Sequence, residues 1–565
     1  MTWAGDDRSG VHDRTTGGDR SGVHDRTTGG DRSGVHDRTT GGGRSGEPGR
    51  TTTRRSFLAG ALAAGAAVPL VGWGRPGCAP APPRPPAGLP DGLFALGVAS
   101  GDPLPHAVVI WTRLAPAPLV GGGMPEVDVP VRWELSSDER FGRHVARGDA
   151  VASPLWGHAV HVDVGGLRPG AWYFYRFIVG DQVSPVGRTR TAPAPGHRRD
   201  RLRFLFASCQ NWQQGHWPLW AHAPEDDPDV VVHLGDYIYE GGVSSGAVRP
   251  HNSPEVTTLA AYRDRYGLYK GDPALQGIHA ACPWIVTWDD HEVDNNYAGL
   301  VPSIPGEVPD FAARRAAAYQ AWWEHQPVRL AAPTGPDLPI HRSFDWGRLA
   351  RFHVLDTRQY RDPQACAGAL GPTCDARTDP ARTLLGAEQE AWLGAGFAGS
   401  RATWDVVASQ VVMTSMPFAG SLYNPDQWDG YAPARTRVLD LMAAGGIENA
   451  VVISGDIHAA GAADLVDEQP DGTPAGEARG TELAGGSISS TFPPELAEVA
   501  EQLILQLPHV HFADTRRRGY MVCDATETEL VTRYQVAEST LVPDSPVSTA
   551  ATFTTLAGVP GVQPS

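Results

Sequence analysis

From residue 200 onward the chain repeats one pattern, a short run of apolar residues followed by a longer mixed stretch. The runs occupy 203–206, 229–234, 283–287, 350–355, 404–408 and 449–454. Strands covered on both faces read in this way, nearly continuous in Val, Ile, Leu and Phe. The mixed stretches predict helices, as at 309–326 and 386–398. Strands alternating with helices imply a layered α/β or α+β domain over 200–545.

Upstream the period changes to two. At 107–113, 129–135, 158–164 and 172–179, apolar and polar residues alternate between Gly, Pro and Asp turns. Residues 91–191 are therefore expected to form a small all-β sandwich of fibronectin or immunoglobulin type. Residues 546–565 read as a C-terminal tail.

The first 90 residues do not continue either pattern. A twelve-residue unit starting at Asp7 recurs three times without change up to Gly42. It is too polar to bury a face, so 1–50 is expected to be disordered, as a flexible tether or a tandem duplication. Arg54 and Arg55 then precede Phe57-Leu58 and a run of small apolar residues at 59–71. This is the pattern of a twin-arginine export signal, with 51–90 forming signal and linker. The run is too short and glycine-rich for a transmembrane span. The expected partner is the twin-arginine export machinery, and the expected location is secreted or cell-wall associated.

Composition narrows the function. A formal charge of −17 argues against a stable nucleic-acid complex, which calls for a basic surface. Six cysteines in 565 residues make no disulfide scaffold. Cys366 and Cys374, close together in a Gly/Pro/Ala loop, are expected to form a local disulfide after export, whereas Cys282 and Cys523 have no evident pairing.

Chemistry-bearing residues follow the apolar runs. They are Cys209 in Ser-Cys-Gln, Asp236 and Tyr239 in Gly-Asp-Tyr-Ile-Tyr-Glu, Asp289, Asp290 and His291 in Trp-Asp-Asp-His-Glu, and Asp456 and His458 in Gly-Asp-Ile-His. Strand ends of layered folds are where ligand sites gather. Carboxylates with one thiolate, one phenolate and imidazoles form a mixed hard and soft donor set, suited to iron beside a hard ion such as calcium, with zinc as a substitute. Two such cations fit hydrolysis at phosphorus. Arg358 and Arg361 follow another strand, to grip phosphate oxygens or to pair with Asp356 or Asp362.

These motifs in this order, with Leu-Asp-Thr-Arg-Gln-Tyr-Arg and Ser-Gln between them, resemble the PhoD-type alkaline phosphatase family of calcineurin-like metallophosphoesterases. The likeness spans about residues 52–540, with 97–103 resembling the family's N-terminal domain; the repeats lie outside it. It implies a four-layer metallophosphoesterase sandwich. It also implies Cys209, Tyr239 and His458 on a first metal, Asp290 and Asp456 on a second, and Asp236 bridging them. The implied ions are Fe3+ and calcium, with zinc or manganese as the fallback. Gln410 stands where relatives often carry histidine, which puts a metal bond from it in doubt. His291 would serve the leaving group, with Arg358 as a second catalytic residue. The implied activity is hydrolysis of small phosphate monoesters, and of diesters, by metal-activated hydroxide. A dedicated phosphodiesterase and a non-enzymatic metal-stabilised secreted protein are the alternatives.

Overall fold

The computed structural model describes residues 85–564, apart from 305, 307 and 369. The repeats, the twin-arginine segment and Cys78 lie outside the described residues.

The apolar runs become strands within one residue of their expected limits. Leu202–Ala207, Val230–His233 and Trp284–Val286 lie parallel at the centre of a ten-stranded sheet. Ala350–Val354, Trp404–Ala408 and Ala450–Ser454 lie parallel in a seven-stranded sheet, next to Pro474–Gly485. One apolar cluster joins the facing sides of the two sheets, with Phe204, Phe206 and Val232 from the first and Phe352, Val406 and Ile453 from the second. The alternate side chains Leu205, Val231 and Val286 point the other way, among Trp220, Tyr262, Tyr319 and Trp322 on helices. Val407 and Val452 likewise meet Leu393, Phe397, Val438 and Leu439. This two-sided burial is why the strands carry almost no polar residues. The helices include Phe311–His325, whose cap Asp310 accepts from the Ala313 N–H, and Gly386–Gly399.

Two expected boundaries are corrected. Strands within 91–191 do face one another across an apolar cluster, Val108, Ile110 and Val160 against Val131, Tyr175 and Phe177. However, Val98–Leu104, Ala107–Arg113 and Ala159–Val164 belong to the same ten-stranded sheet as the central strands, joined where Gly101 pairs with Trp284. A Cβ at Gly101 would lie 2.3 Å from the Pro327 carbonyl oxygen and 2.7 Å from that of Trp284, so only glycine permits this approach. Buried Asp102 beside it pairs with Arg342 at 2.9 Å and accepts from the Arg329 N–H.

The expected tail is also strand. Val547–Leu556 and Val559–Pro564 extend the ten-stranded sheet beyond Glu529–Ala537, and Phe553 and Val562 enter the core between the sheets. The Thr- and Ala-rich sequence carries few large apolar groups, so its alternation gave little sign of burial.

Lys270, the chain's single lysine, is buried with its Nζ 4.4 Å from the ring centroid of Trp111. Burial pulls its amine down to about 7. The unfolded chain then holds this proton, and the native protein does not, between that value and the ordinary lysine range. Stability should rise with pH across this window, by up to about 1.4 kcal/mol per unit, and below it the penalty is complete. Lys270→Met should flatten the rise and stabilise the protein most at neutral pH and below, as read by denaturant unfolding at several pH values.

Candidate metal centre

Every expected ligand lies just past the carboxyl end of a parallel strand. Cys209 follows Leu202–Ala207, Asp236 and Tyr239 follow Val230–His233, Asp290 and His291 follow Trp284–Val286, and Asp456 and His458 follow Ala450–Ser454. The chain turns sharply there: Cys209, Asp236, Asp456 and His458 all have left-handed φ between 54° and 67°. Non-glycine residues adopt this region at a cost, and it gathers at functional sites.

The turns bring the ligand atoms together. Cys209, Asp236 and His458 each offer an atom within 4.8 Å of the others, and so do the sets Asp236, Asp290, His291 and Asp289, Asp290, Asp456. The Tyr239 hydroxyl donates to Asp236 Oδ2 at 2.8 Å and lies 3.1 Å from His458 Nε2. Asp236 is shared by two of the sets, as a bridging carboxylate would be.

Charge is poorly balanced in this region. Burial, with Asp236 nearby, pushes the Cys209 thiol well above its usual range, and burial with Asp236 and Cys209 does the same to the Tyr239 phenol. Burial and the neighbouring Asp290, Asp289 and Glu292 raise Asp236 well above the carboxylate range against the pull of His291. His458 falls to about 3, through burial and the cationic His291 and Arg518. Asp236 Oδ1 and Asp290 Oδ1 are buried without a hydrogen-bond partner. A buried carboxylate oxygen with no hydrogen-bond partner, that of Asp236, beside a thiol, a phenol and an imidazole is what a cation site requires, so the residues fit a metal centre.

Arg358 departs from its expected role. Its wholly buried guanidinium pairs with Asp289, with Asp426 at 2.8 Å and with Asp456 at 3.1 Å, and lies 3.7 Å from Asp290. With its nitrogens turned onto these carboxylates, it serves here as their internal counter-cation. Arg361 joins it on Asp426 at 2.7 Å. Neither pairs with Asp356 or Asp362 through its guanidinium. Gln410 spends its side chain on Thr357, Thr287 and Leu355, which removes it as a ligand.

Several residues with no role assigned from sequence hold the ligands in place. Glu292 accepts the N–H groups of Asp236, Tyr237 and Asp289 at 2.7–3.0 Å, fastening two ligand loops together. Ser490 Oγ donates to the Cys209 carbonyl at 2.8 Å and lies 2.7 Å from the Tyr239 hydroxyl. Arg518 donates to the His458 carbonyl at 3.0 Å, and Gln427 donates to Asp456. Glu240 contacts His291 Nδ1 at 2.8 Å. Glu240 and Glu292 stand inside the quoted motifs, whereas Ser490, Asp426 and Arg518 carry no local signature.

An open cavity of about 100 Å³ adjoins this centre, lined by Tyr239, His291 and His458 and by Asn211, Gln214, Asn295 and Thr491 among others. The profile of the PhoD-like phosphatase family matches residues 204–534, and that of its N-terminal domain matches 77–193. The chain belongs to the PhoD-like phosphatase family. It is 44% identical over 472 residues to alkaline phosphatase D of Bacillus subtilis (strain 168), covering 81% of this chain and 80% of that protein. A solved structure described as that of PhoD superimposes with a TM-score of 0.79 at 43% identity, over 83% of this chain and 91% of that one. In this PhoD-like phosphatase, Cys366 and Cys374 form the expected disulfide, while Cys209, Cys282 and Cys523 are free and buried.

Removing the counter-cation tests the charge balance. Arg358→Ala should destabilise the metal-free protein by about 3–5 kcal/mol, because buried Asp289, Asp290 and Asp456 lose their guanidinium while Asp426 keeps only Arg361. Added calcium should restore part of this loss, as measured by thermal unfolding with chelator and with calcium.

Proposed function

We propose that this chain is an exported, metal-dependent phosphoesterase of the alkaline phosphatase D type. The observation that carries the reading is the convergence of three sets of potential ligand atoms that share buried Asp236 and Asp290, with Asp236 Oδ1 left without a hydrogen-bond partner. The stack of helices, two sheets and helices is read as the four-layer metallophosphoesterase sandwich.

Fe3+ would be held by Cys209, Tyr239, His458 and Asp236, and calcium by Asp290, Asp456 and Asp236. Thiolate, phenolate and imidazole favour the first ion, and all-oxygen donors favour the second. When bound, the cations supply positive charge to the phosphoryl oxygens and acidify the attacking water.

The protein's own groups do the rest. Arg358 offsets part of the negative charge of Asp289, Asp290 and Asp456, leaving the hard site able to accept phosphate beside it. His291 faces the cavity and gives a proton to the leaving oxygen. The cavity receives the leaving group, and small phosphate monoesters, with diesters, are the proposed substrates.

Export by the twin-arginine route, to a secreted or wall-associated location, rests on Arg54, Arg55 and the apolar run after them. The disulfide suits an oxidising compartment. No helix among the described residues is long and apolar enough to cross a membrane.

Cys209→Ala and Asp236→Ala should each lose bound iron and lower phosphatase activity by at least about 100-fold, in line with removing a group that supports general catalysis. Metal analysis with parallel assays on a nitrophenyl monoester and diester reads this out. A variant with full activity and stoichiometric iron would overturn the ligand assignment.

A further inference from the structure

Tyr239, His291 and His458 form the inner end of the cavity, and much of its outer wall comes from the segment between Glu240 and Glu255. That segment wraps one buried cation. Arg265 donates to the carbonyls of Tyr239, of Gly241 at 2.9 Å and of Pro254 at 3.2 Å. The Val256 N–H donates to the Glu240 carbonyl at 2.9 Å and closes the loop. Closure sets Glu255 into the cavity wall, so near Gly242 that a Cβ there would lie 3.3 Å from the Glu255 nitrogen. The Glu255 side chain is 34% exposed.

The charge of this outer wall has one sign. Among the described residues lining the cavity there is no lysine or arginine. His251, the imidazole of the outer wall, falls to about 3 through burial and the nearby Arg265 and is neutral. Glu255 pairs with Arg314 at 2.8 Å, but that guanidinium is buried behind the wall and also serves Asp294 at 3.3 Å. A group entering from solvent therefore meets the Glu255 carboxylate and no cation of equal exposure. We infer that Glu255 is a specificity-determining residue, admitting phosphate esters whose leaving group is uncharged or cationic and turning away those whose leaving group carries a second anionic group. This rests on the reading of the cavity as the place of the leaving group. The phosphoryl group has the metal centre to answer it, whereas a second negative charge in the same ester would lie against Glu255 with no counter-charge.

Three aryl phosphates test this, carrying an aminomethyl, a hydroxymethyl or a carboxymethyl group para to the ester oxygen; the methylene keeps the three phenols close in basicity. With the metal-loaded wild type, kcat/KM for the carboxymethyl ester should fall about 10-fold below that for the hydroxymethyl ester, the scale of one like-charge contact at a protein surface. The gap should narrow as salt is raised. Glu255→Gln should close most of it, and Glu255→Met, of similar length and uncharged, stands in if the amide variant does not fold. Thr491→Lys, which adds a cation at an exposed position of the same cavity, should close the gap without altering Glu255. Metal content is measured on each variant. Equal kcat/KM for the three esters in the wild type, or a gap that Glu255→Gln leaves intact while Thr491→Lys closes it, would overturn the role of Glu255. If neither substitution moves the ratio, the leaving group lies outside the cavity and that assignment fails first, which separates the two failures.

Discussion

Asp236, Asp289, Asp290, Glu292, Asp426 and Asp456 are all buried or nearly so at one end of the two facing sheets, answered by Arg358, Arg361 and His291. Carboxylates removed from water are costly unless paired or metal-bound. That imbalance governs the region. It raises Asp236 and Asp289, pushes Glu292 up to about 8 and Asp456 to about 6, and leaves the Cys209 thiol and Tyr239 phenol reluctant to ionise. A cation here would offset part of this negative charge, and the protons displaced would accompany its binding.

The fold keeps the repelling groups in place. Parallel strands with both faces buried end together, so their following turns are forced into one shallow volume. Left-handed turns at Cys209, Asp236, Asp456 and His458 aim the side chains inward. Glu292, Ser490 and Arg518 then use backbone N–H and carbonyl groups of these loops as anchors, so much of the positioning of the expected ligands comes from their main chain. Arg358 performs the electrostatic part of the same task from behind.

Much of this was legible in the sequence because burial on two faces leaves a strong imprint. The parallel strands stood out as unbroken apolar runs, and the expected ligands followed them directly. The carboxylate partners of Arg358 were not legible because its position after a strand says nothing about which carboxylates face it, and Asp426, its partner at 2.8 Å, sits in a loop without a motif. The strand Pro474–Gly485, whose end leads to Ser490, was hidden by its charged and glycine-rich first half. The last two strands were hidden by their small residues, and the continuity of 91–191 with the central sheet depended on one close approach at Gly101 that no periodicity reveals.

The central claim is that a soft-and-hard donor set divides two kinds of cation across Asp236. Crystals of the metal-loaded protein, with diffraction recorded on both sides of the iron absorption edge, test it directly. The account predicts an iron signal bounded by Cys209 Sγ, the Tyr239 hydroxyl and His458 Nε2, with a lighter ion among Asp236, Asp290 and Asp456. Iron among the carboxylates, or an absence of metal density beside Cys209, would contradict it.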